Sequence, residues 1–128
     1  MKTVGQRFRV LTGHYAVCRL GSDAAVPGWA AGPFLNITLT DDELAIVCPA
    51  ERVPADVRAE RDWRVLKLVG PFPFTAVGVL ASFATPLAQA GISLLSIATY
   101  DTDYFLVKSD TFEDAIAVLV AAGHTKLG

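Results

Sequence analysis

Apolar and polar positions follow their clearest pattern in the second half of the chain. Residues 63–69 carry a run of apolar side chains typical of a β-strand, and Gly70 and Pro71 form a turn that closes it. A helix is predicted next, with Thr75 as its N-cap and a kink or restart at Pro86. Apolar residues at three-and-four spacing define its predicted buried face: Val77, Leu80, Ala81, Ala84, Leu87 and Ala88.

A hairpin is predicted after this helix. Residues 92–99 are rich in Ile and Leu and are typical of a buried strand, and residues 104–108 form its partner across a turn at 100–103. Val79 and Phe83 lie off the predicted buried face of the helix. Apolar residues there predict a covered surface, with burial by a second subunit favoured over a binding groove.

A second helix and a short strand complete this half. Asp110 or Thr111 is expected to cap the helix, Gly123 to end it, and residues 124–127 to form the strand. The predicted apolar face is Phe112, Ala115, Ile116, Leu119 and Val120. The element order is βαββαβ, which is the ferredoxin-like α+β unit.

The first half of the chain aligns with the second at a shift of sixty residues. Residues 14–20 fall on 74–80 (74 − 14 = 60), and residues 36–48 fall on 96–108 (96 − 36 = 60). Two separate blocks that share one shift indicate an internal duplication, and shared strand composition is the alternative explanation.

The two predicted copies differ where the first helix should lie. Residues 21–32 contain Pro27 and several glycines, so the first helix of the first copy is expected to be shortened or broken. The predicted fold class is therefore α+β with two tandem ferredoxin-like (βαββαβ) units, residues 1–61 and residues 62–128. Residues 53–61 are charged and form the expected connector.

Composition narrows the class of partner. The chain has 128 residues, 52% of them hydrophobic, and 11 Lys and Arg against 13 Asp and Glu, for a net charge of −2. No basic stripe is present, so nucleic acid is not predicted as a partner. Cys18 and Cys48 have no CxxC spacing, and the chain does not begin with a secretory pattern. A reducing cytoplasm is the predicted location.

One uncharged stretch, residues 71–100, is long enough on paper to cross a membrane. Pro73, Pro86 and Gly91 interrupt it, and no Lys or Arg cluster flanks it. The prediction is a buried helix and strand, with no membrane as partner.

No catalytic set is visible in the sequence. His14 and His124 lie far apart without metal-ligand spacing, and each is expected to be an ordinary histidine at a strand edge. Cys18 has no nearby base, and Asp101 and Asp103 are neighbours in a turn rather than an acid–base pair. No enzyme, metal or cofactor is predicted, and a small enzyme using Asp or His chemistry is the least favoured alternative.

The run SIATYDTDYFLVK, residues 96–108, is the strongest candidate for a binding site. Its turn brings hydroxyls, carboxylates and backbone amides into a small space, which suits a small zwitterion; any tight hairpin turn would also select Asp. Together with GPFPFTAVGVLASFATPLAQAGI before it, the run resembles the ACT-domain proteins of the CASTOR type. That group includes a eukaryotic cytosolic amino-acid sensor.

The resemblance implies a tandem of ACT units that forms a homodimer and holds an amino acid between ACT units. It places Gly78 and Val79 beside the ligand carboxylate, Thr99 and Tyr100 in contact with the ligand, and Asp103 against its ammonium group. This makes a small-molecule-binding regulatory protein without catalytic activity the predicted function.

The chain departs from the family pattern at two positions. Ala98 replaces a usual Ser, and Ala76 stands where the arginine-binding member has an acidic residue, so arginine is not the expected ligand. These departures keep open an alternative function, a protein–protein interaction or dimerisation module that has lost its ligand.

Overall fold

The computed structural model describes residues 5–128, which form eight β-strands and two α-helices. Single 3-10 turns follow the fourth strand at Ala50–Arg52 and the seventh strand at Ser109–Thr111. In chain order the elements are β1 (Arg7–Val10), β2 (Tyr15–Leu20), β3 (Asn36–Leu39), β4 (Leu44–Pro49), β5 (Ala59–Leu68), α1 (Val79–Gln89), β6 (Leu95–Ala98), β7 (Asp103–Lys108), α2 (Phe112–Ala121) and β8 (Thr125–Lys126).

These elements pack as two compact units. The C-terminal unit consists of residues 5–12 together with Arg64–Gly128, and the N-terminal unit consists of Gly13–Trp63. Strand β5 is continuous in the chain and contributes its first half to one unit and its second half to the other. Strand β1 therefore belongs to the C-terminal unit. The division of the chain into ACT-like units at residues 61 and 62 stays a prediction.

The C-terminal unit is a mixed α/β structure. Strand β1 pairs antiparallel with β5 and parallel with β8, and β7 pairs with β5 and β6. The two helices pack against the sheet through one buried apolar core: Phe8, Leu66, Leu68, Phe83, Leu87, Ile92, Phe105, Val107, Phe112, Ala115 and Leu119.

The N-terminal unit is antiparallel, with β3 paired to β4, β4 to β2, and β2 to the first half of β5. Its buried core is Ala16, Cys18, Leu44, Ile46, Cys48 and Val53. The structure describes all of residues 13–63 and shows no α-helix there. Where the sequence predicted a shortened or broken helix, the chain follows a loop, because Pro27 and the glycines disfavour a continuous helix.

The first helix begins later than predicted, and its buried face differs. Helix α1 starts at Val79 with Gly78 as N-cap, so the prediction of Thr75 as N-cap was wrong. Phe83, predicted off the core face, is fully buried, whereas Val77 is 94% exposed. The Phe83 ring packs on Phe8 and Phe105, and this aromatic contact outweighs the alanine-rich face on which the prediction relied.

Strand β6 is shorter and more exposed than predicted. Only Leu95–Ala98 is strand, and most of it is accessible to solvent. Within residues 5–128, β6 pairs with β7 alone, so it is an edge strand. Ile92 is buried, but it lies in the turn after α1, where its N–H donates to the Leu87 carbonyl.

The β6–β7 hairpin and the start and end of α2 are as predicted, whereas β8 is shorter than the predicted strand 124–127. Strand β7 pairs with β6 as a hairpin, and α2 begins after the N-cap Thr111 and ends before Gly123, which has a φ of 99°. Phe112 and Leu119 are buried, although Val120 is half-exposed. No helix in the described part of the chain has the length and apolar character needed to span a membrane.

The β3–β4 and β6–β7 hairpins correspond at a shift of 59 residues, not at the predicted 60. The starts of β3 and β6 differ by 95 − 36 = 59, those of β4 and β7 by 103 − 44 = 59, and those of the 3-10 turns by 109 − 50 = 59. Of the residues 14–20, Tyr15–Leu20 form β2, whereas residues 74–80 form a loop and the start of α1. The first aligned block was therefore wrong, because similar apolar residues occupy different elements.

Candidate functional site

A cleft of about 600 Å³ lies between the first turn of α1 and the β6–β7 turn. All of its lining residues belong to the C-terminal unit. The five residues that the sequence placed at a ligand are all in this lining: Gly78, Val79, Thr99, Tyr100 and Asp103. Ala76 and Ala98, the two departures from the family pattern, also line it.

The β6–β7 turn is closed by its own hydrogen bonds. The Thr99 N–H donates to the Thr102 carbonyl at 2.9 Å, and the Thr99 hydroxyl donates to the same oxygen at 2.9 Å. That hydroxyl also accepts the Thr102 N–H at 3.3 Å. The hydroxyl proton of Thr99 is therefore already used in a hydrogen bond within the turn. This side chain can offer a ligand only an oxygen lone pair and its methyl group.

The N-terminal unit builds the same turn. The Thr40 N–H donates to the Glu43 carbonyl at 2.9 Å, and the Thr40 hydroxyl accepts the Glu43 N–H at 3.2 Å. Thr40 and Thr99 are 99 − 40 = 59 residues apart, in agreement with the shift of the hairpins. The turn closed by a threonine is thus a repeated feature of the chain.

Two hydrogen bonds hold the β6–β7 turn against the end of β5 and the loop that follows it. The buried Thr102 hydroxyl donates to the Leu68 carbonyl at 2.9 Å, and the Phe72 N–H donates to the Asp101 carbonyl at 2.9 Å. A Cβ at Gly70 would lie 2.8 Å from that Asp101 oxygen, so this close approach requires glycine. Sequence reasoning missed Thr102, because its partner is distant in the chain.

Helix α1 brings backbone donors to the cleft. The N-cap residue is Gly78, which has a φ of 82°. Among the described residues, no side chain accepts a hydrogen bond at this end of the helix. The Ser82 N–H is the donor to the Gly78 carbonyl, at 2.9 Å. The N–H groups of Val79, Leu80 and Ala81 therefore have no acceptor within the helix, and they lie at its positive end.

Gly78 is required by the backbone and not by close packing. A Cβ at this position would meet no described atom within 4 Å. Its left-handed φ is the requirement.

The carboxylates in the cleft come from the β6–β7 turn. Asp103 is half-buried at the first position of β7, opposite Ala98, and Asp101 is exposed on the turn. Among the described residues no Lys or Arg lines the cleft. Most other walls are apolar or small: Phe72, Pro73, Phe74, Ala76, Leu80, Ala81, Ala84 and Ala98.

Two aromatic side chains stand at the rim of the cleft. Phe74 and Tyr100 are 76% and 79% exposed, and their rings meet edge to face with centroids 4.9 Å apart. The sequence placed Tyr100 in contact with a ligand. In the structure its ring contacts Phe74, and both rings line the cleft while remaining largely exposed.

The other reactive side chains lie away from this cleft. Burial raises the pKa of the Cys18 thiol to about 11, with a further contribution from Cys48, and burial also raises the pKa of Cys48. Both thiols are buried. His124 directly precedes the edge strand β8, and its ring is buried between the Gln6 N–H and the Ser82 carbonyl. Within residues 5–128 no cluster of three His, Cys, Asp or Glu side chains could hold a metal ion.

Comparison with known proteins supplies the family. The family described as ACT domain matches residues 58–121, and a family described as an N-terminal domain matches residues 13–56. A protein of Bos taurus described as cytosolic arginine sensor for mTORC1 subunit 1 is 33% identical over 101 residues. That match covers 73% of this chain and 31% of the relative, so the chain spans about a third of the length of that relative.

Solved structures show similar folds. A protein of Agobacterium tumefaciens, a structural genomics target, has 40% sequence identity and a TM-score of 0.93, and the match covers 98% of this chain and 94% of that one. The aspartate kinase of Clostridium acetobutylicum has 11% identity and a TM-score of 0.66, with 95% of this chain and 36% of the enzyme covered. At 11% identity, the match to the aspartate kinase shows a shared fold alone.

Proposed function

This chain belongs to the ACT domain family, and on that basis we propose that it is a regulatory protein that binds an amino acid in the cleft of its C-terminal unit and has no catalytic activity. One observation carries the proposal. The same cleft is lined by the uncapped first turn of α1 and by the acidic β6–β7 turn. An amino acid has a carboxylate that suits the helix N-terminus and an ammonium group that suits the acidic turn.

The polar groups of the cleft suit the two ends of a zwitterion. The N–H groups of Val79, Leu80 and Ala81 would receive the ligand carboxylate, because a helix N-terminus favours an anion. Asp103 would accept hydrogen bonds from the ammonium group, and a charge-assisted bond of this kind contributes about 1.5–3 kcal/mol. Thr99 and Tyr100 would contact the ligand from the turn.

The walls favour a ligand with an uncharged side chain. Ala76, Ala84 and Ala98 are small, and Phe72 adds an apolar surface. No acidic residue stands at position 76 to pair with a guanidinium group, so arginine is not the ligand that we propose. The curated relative is described as an arginine sensor, and this chain would then differ from it in specificity.

We further propose a homodimer in which a second copy closes the cleft, so that the ligand lies between ACT units. Exposed apolar side chains at the rim, Phe74 and Tyr100, the exposed Val77 and the exposed edge strand β6 support this arrangement. Light scattering after size exclusion tests it, and a monomer at all concentrations would contradict it. The ligand would regulate by favouring one of two packings of the units.

Two further proposals concern the architecture and location of the chain. The repeated hairpin and turn, 59 residues apart, support a tandem of ferredoxin-like ACT units in which the first has lost both of its helices. Two buried thiols support a cytoplasmic location, because a reducing compartment keeps thiols free. Localisation of a tagged full-length protein tests this, and secretion would contradict it.

The binding experiment is a thermal-shift screen against the twenty standard amino acids. A ligand at a hundred times its Kd adds about 2.7 kcal/mol to the free energy of unfolding, so a true ligand gives a clear shift. Calorimetry with the best amino acid then gives the Kd and the stoichiometry. No shift with any of them at millimolar concentration would contradict the proposal.

The second candidate is an interaction module without a ligand. The exposed Phe74–Tyr100 pair and Val77 favour it, since exposed apolar residues of this kind mark protein contacts. This function predicts a silent amino-acid screen together with a stable dimer.

A further inference from the structure

Pro86 interrupts the hydrogen bonding of α1 at a buried position. In an α-helix the N–H of residue 86 would donate to the carbonyl of residue 82, but proline has no N–H. Ser82 is buried, so water does not readily replace this donor. A buried carbonyl without a donor is strongly unfavourable, and the fold must supply one from elsewhere.

His124 supplies that donor. Its Nε2 lies 2.7 Å from the Ser82 carbonyl oxygen, and its Nδ1 accepts the Gln6 N–H at 2.9 Å. Because Nδ1 accepts a hydrogen bond from the Gln6 N–H, the proton of the neutral ring lies on Nε2, and this N–H donates a hydrogen bond to the Ser82 carbonyl. Both nitrogens of the buried ring are thereby used, and each partner specifies the same neutral tautomer.

The imidazole is held firmly in this place. The His124 N–H donates to the Leu119 carbonyl at the end of α2, at 3.0 Å, and the Thr125 N–H donates to the Gln6 carbonyl at 2.9 Å. The ring also contacts Phe83, with centroids 4.4 Å apart. His124 therefore connects the end of α2 and the start of β1 to one residue of α1.

That residue closes the first turn of α1, which lines the cleft. The Ser82 N–H donates to the Gly78 carbonyl at 2.9 Å, and the Ser82 hydroxyl donates to the Val79 carbonyl at 2.6 Å. We infer that His124 is a positioning residue for the cleft: it replaces the donor missing at Pro86 and fixes the turn that presents the backbone amides. The part of this inference that concerns a ligand rests on the proposed function.

Two substitutions separate the roles of the ring nitrogens. His124→Gln keeps a donor near the position of Nε2, whereas His124→Asn keeps an acceptor near the position of Nδ1 and loses the bond to Ser82. Pro86→Ala restores the helical N–H to Ser82 within α1. The double variant His124→Asn, Pro86→Ala is therefore the matched rescue.

The first readout is amide hydrogen exchange in the protein without ligand. We expect His124→Asn to speed exchange of the Ser82 and Phe83 amides about fivefold to tenfold more than that of Leu119 in α2, which reports global opening. His124→Gln should stay near wild type, and Pro86→Ala should reverse the effect of His124→Asn. Equal acceleration in both helices, or none in α1, would overturn the inference.

The second readout is the thermal shift given by a mixture of the twenty amino acids at about 1 mM each. We expect His124→Asn to lose most of the shift and the rescue variant to regain it, at temperatures where every variant is folded. A full shift in His124→Asn despite faster exchange in α1 would overturn the role in positioning. If wild type gives no shift, the proposed function fails, and the exchange pattern alone decides whether His124 holds the turn.

Discussion

The buried hydroxyl of Thr102 donates a hydrogen bond to the carbonyl of Leu68, with 2.9 Å between the two oxygens. Leu68 is the last residue of β5, and Thr102 lies in the β6–β7 turn that lines the cleft. This bond, together with the Phe72 N–H that donates to the Asp101 carbonyl, holds the acidic turn at a defined place on the sheet. The position of Asp103 in the cleft thus depends on a threonine that sequence reasoning did not single out.

Replacing Thr102 by Val should destabilise the protein by about 1–3 kcal/mol, because the buried Leu68 carbonyl would lose its donor. Urea unfolding followed by circular dichroism measures the change. Thr102→Ser is the control, since it keeps the hydroxyl and loses a methyl group. If the Val variant proves as stable as wild type, the bond does not hold the turn.

Replacing Asp103 by Asn should reduce amino-acid affinity by about tenfold or more, because the ammonium group would lose its charged acceptor. The substitution keeps the shape of the side chain, so the fold and any dimer should persist. Calorimetry gives the affinity. Asp110→Asn is the matched control, since Asp110 is exposed and lies outside the cleft. Equal affinity of the Asp103 variant and wild type would remove the proposed ammonium contact.

Replacing Gly78 by Ala should cost about 1–2 kcal/mol, because an L side chain is strained at a φ of 82°. The added methyl group would meet no described atom, so the backbone alone causes the loss. Gly28→Ala is the control: it also adds a methyl in open space, and its φ is not in the left-handed region. Chemical denaturation compares the two. A loss of equal size in both variants would contradict this account of Gly78.

Cys18 should make stability fall in alkaline solution. Burial raises the pKa of its thiol from the ordinary 9.0 to about 11, so the unfolded chain releases this proton first. Between about pH 9 and pH 11 the unfolded state therefore binds fewer protons, and the free energy of unfolding decreases as pH rises. Denaturant midpoints across this range measure the slope.

Cys18→Ala isolates this contribution, because Cys48, whose pKa burial also raises, is present in both proteins. The variant should be less stable at neutral pH, since it leaves a cavity, but it should show a shallower decline above pH 9. Parallel declines in the two proteins would show that the Cys18 thiol is not the group responsible.

Local patterns were sufficient for much of the C-terminal unit. The alternation and turn residues predicted the second half of β5, the β6–β7 hairpin and α2, because each depends on residues that are close together in the chain; the first residues of β5 had been assigned to a connector. The resemblance to ACT-domain proteins selected five candidate residues, and the structure brings all five to one cleft. Their contact with a ligand stays a prediction.

Local patterns did not predict where α1 starts or which of its faces is buried. The start of α1 depends on the left-handed conformation of Gly78, and the burial of Phe83 depends on Phe8 and Phe105 from other strands. The apolar spacing of α1 predicted the burial of Leu87 correctly but not the rest of the buried face, because several alanines and Val77 contribute to the pattern without being buried.

The sequence by itself determined the strand and helix types, the acidic turn and the family. Only the tertiary structure decided which face of α1 is buried and which polar groups hold the cleft in shape. The bonds from Thr102 to Leu68, from His124 to Ser82 and from Gln6 to His124 join residues 34, 42 and 118 positions apart. No local sequence pattern connects partners so far apart in the chain. Their hydrogen bonds form because packing excludes water from these buried polar atoms, which must then bond to one another.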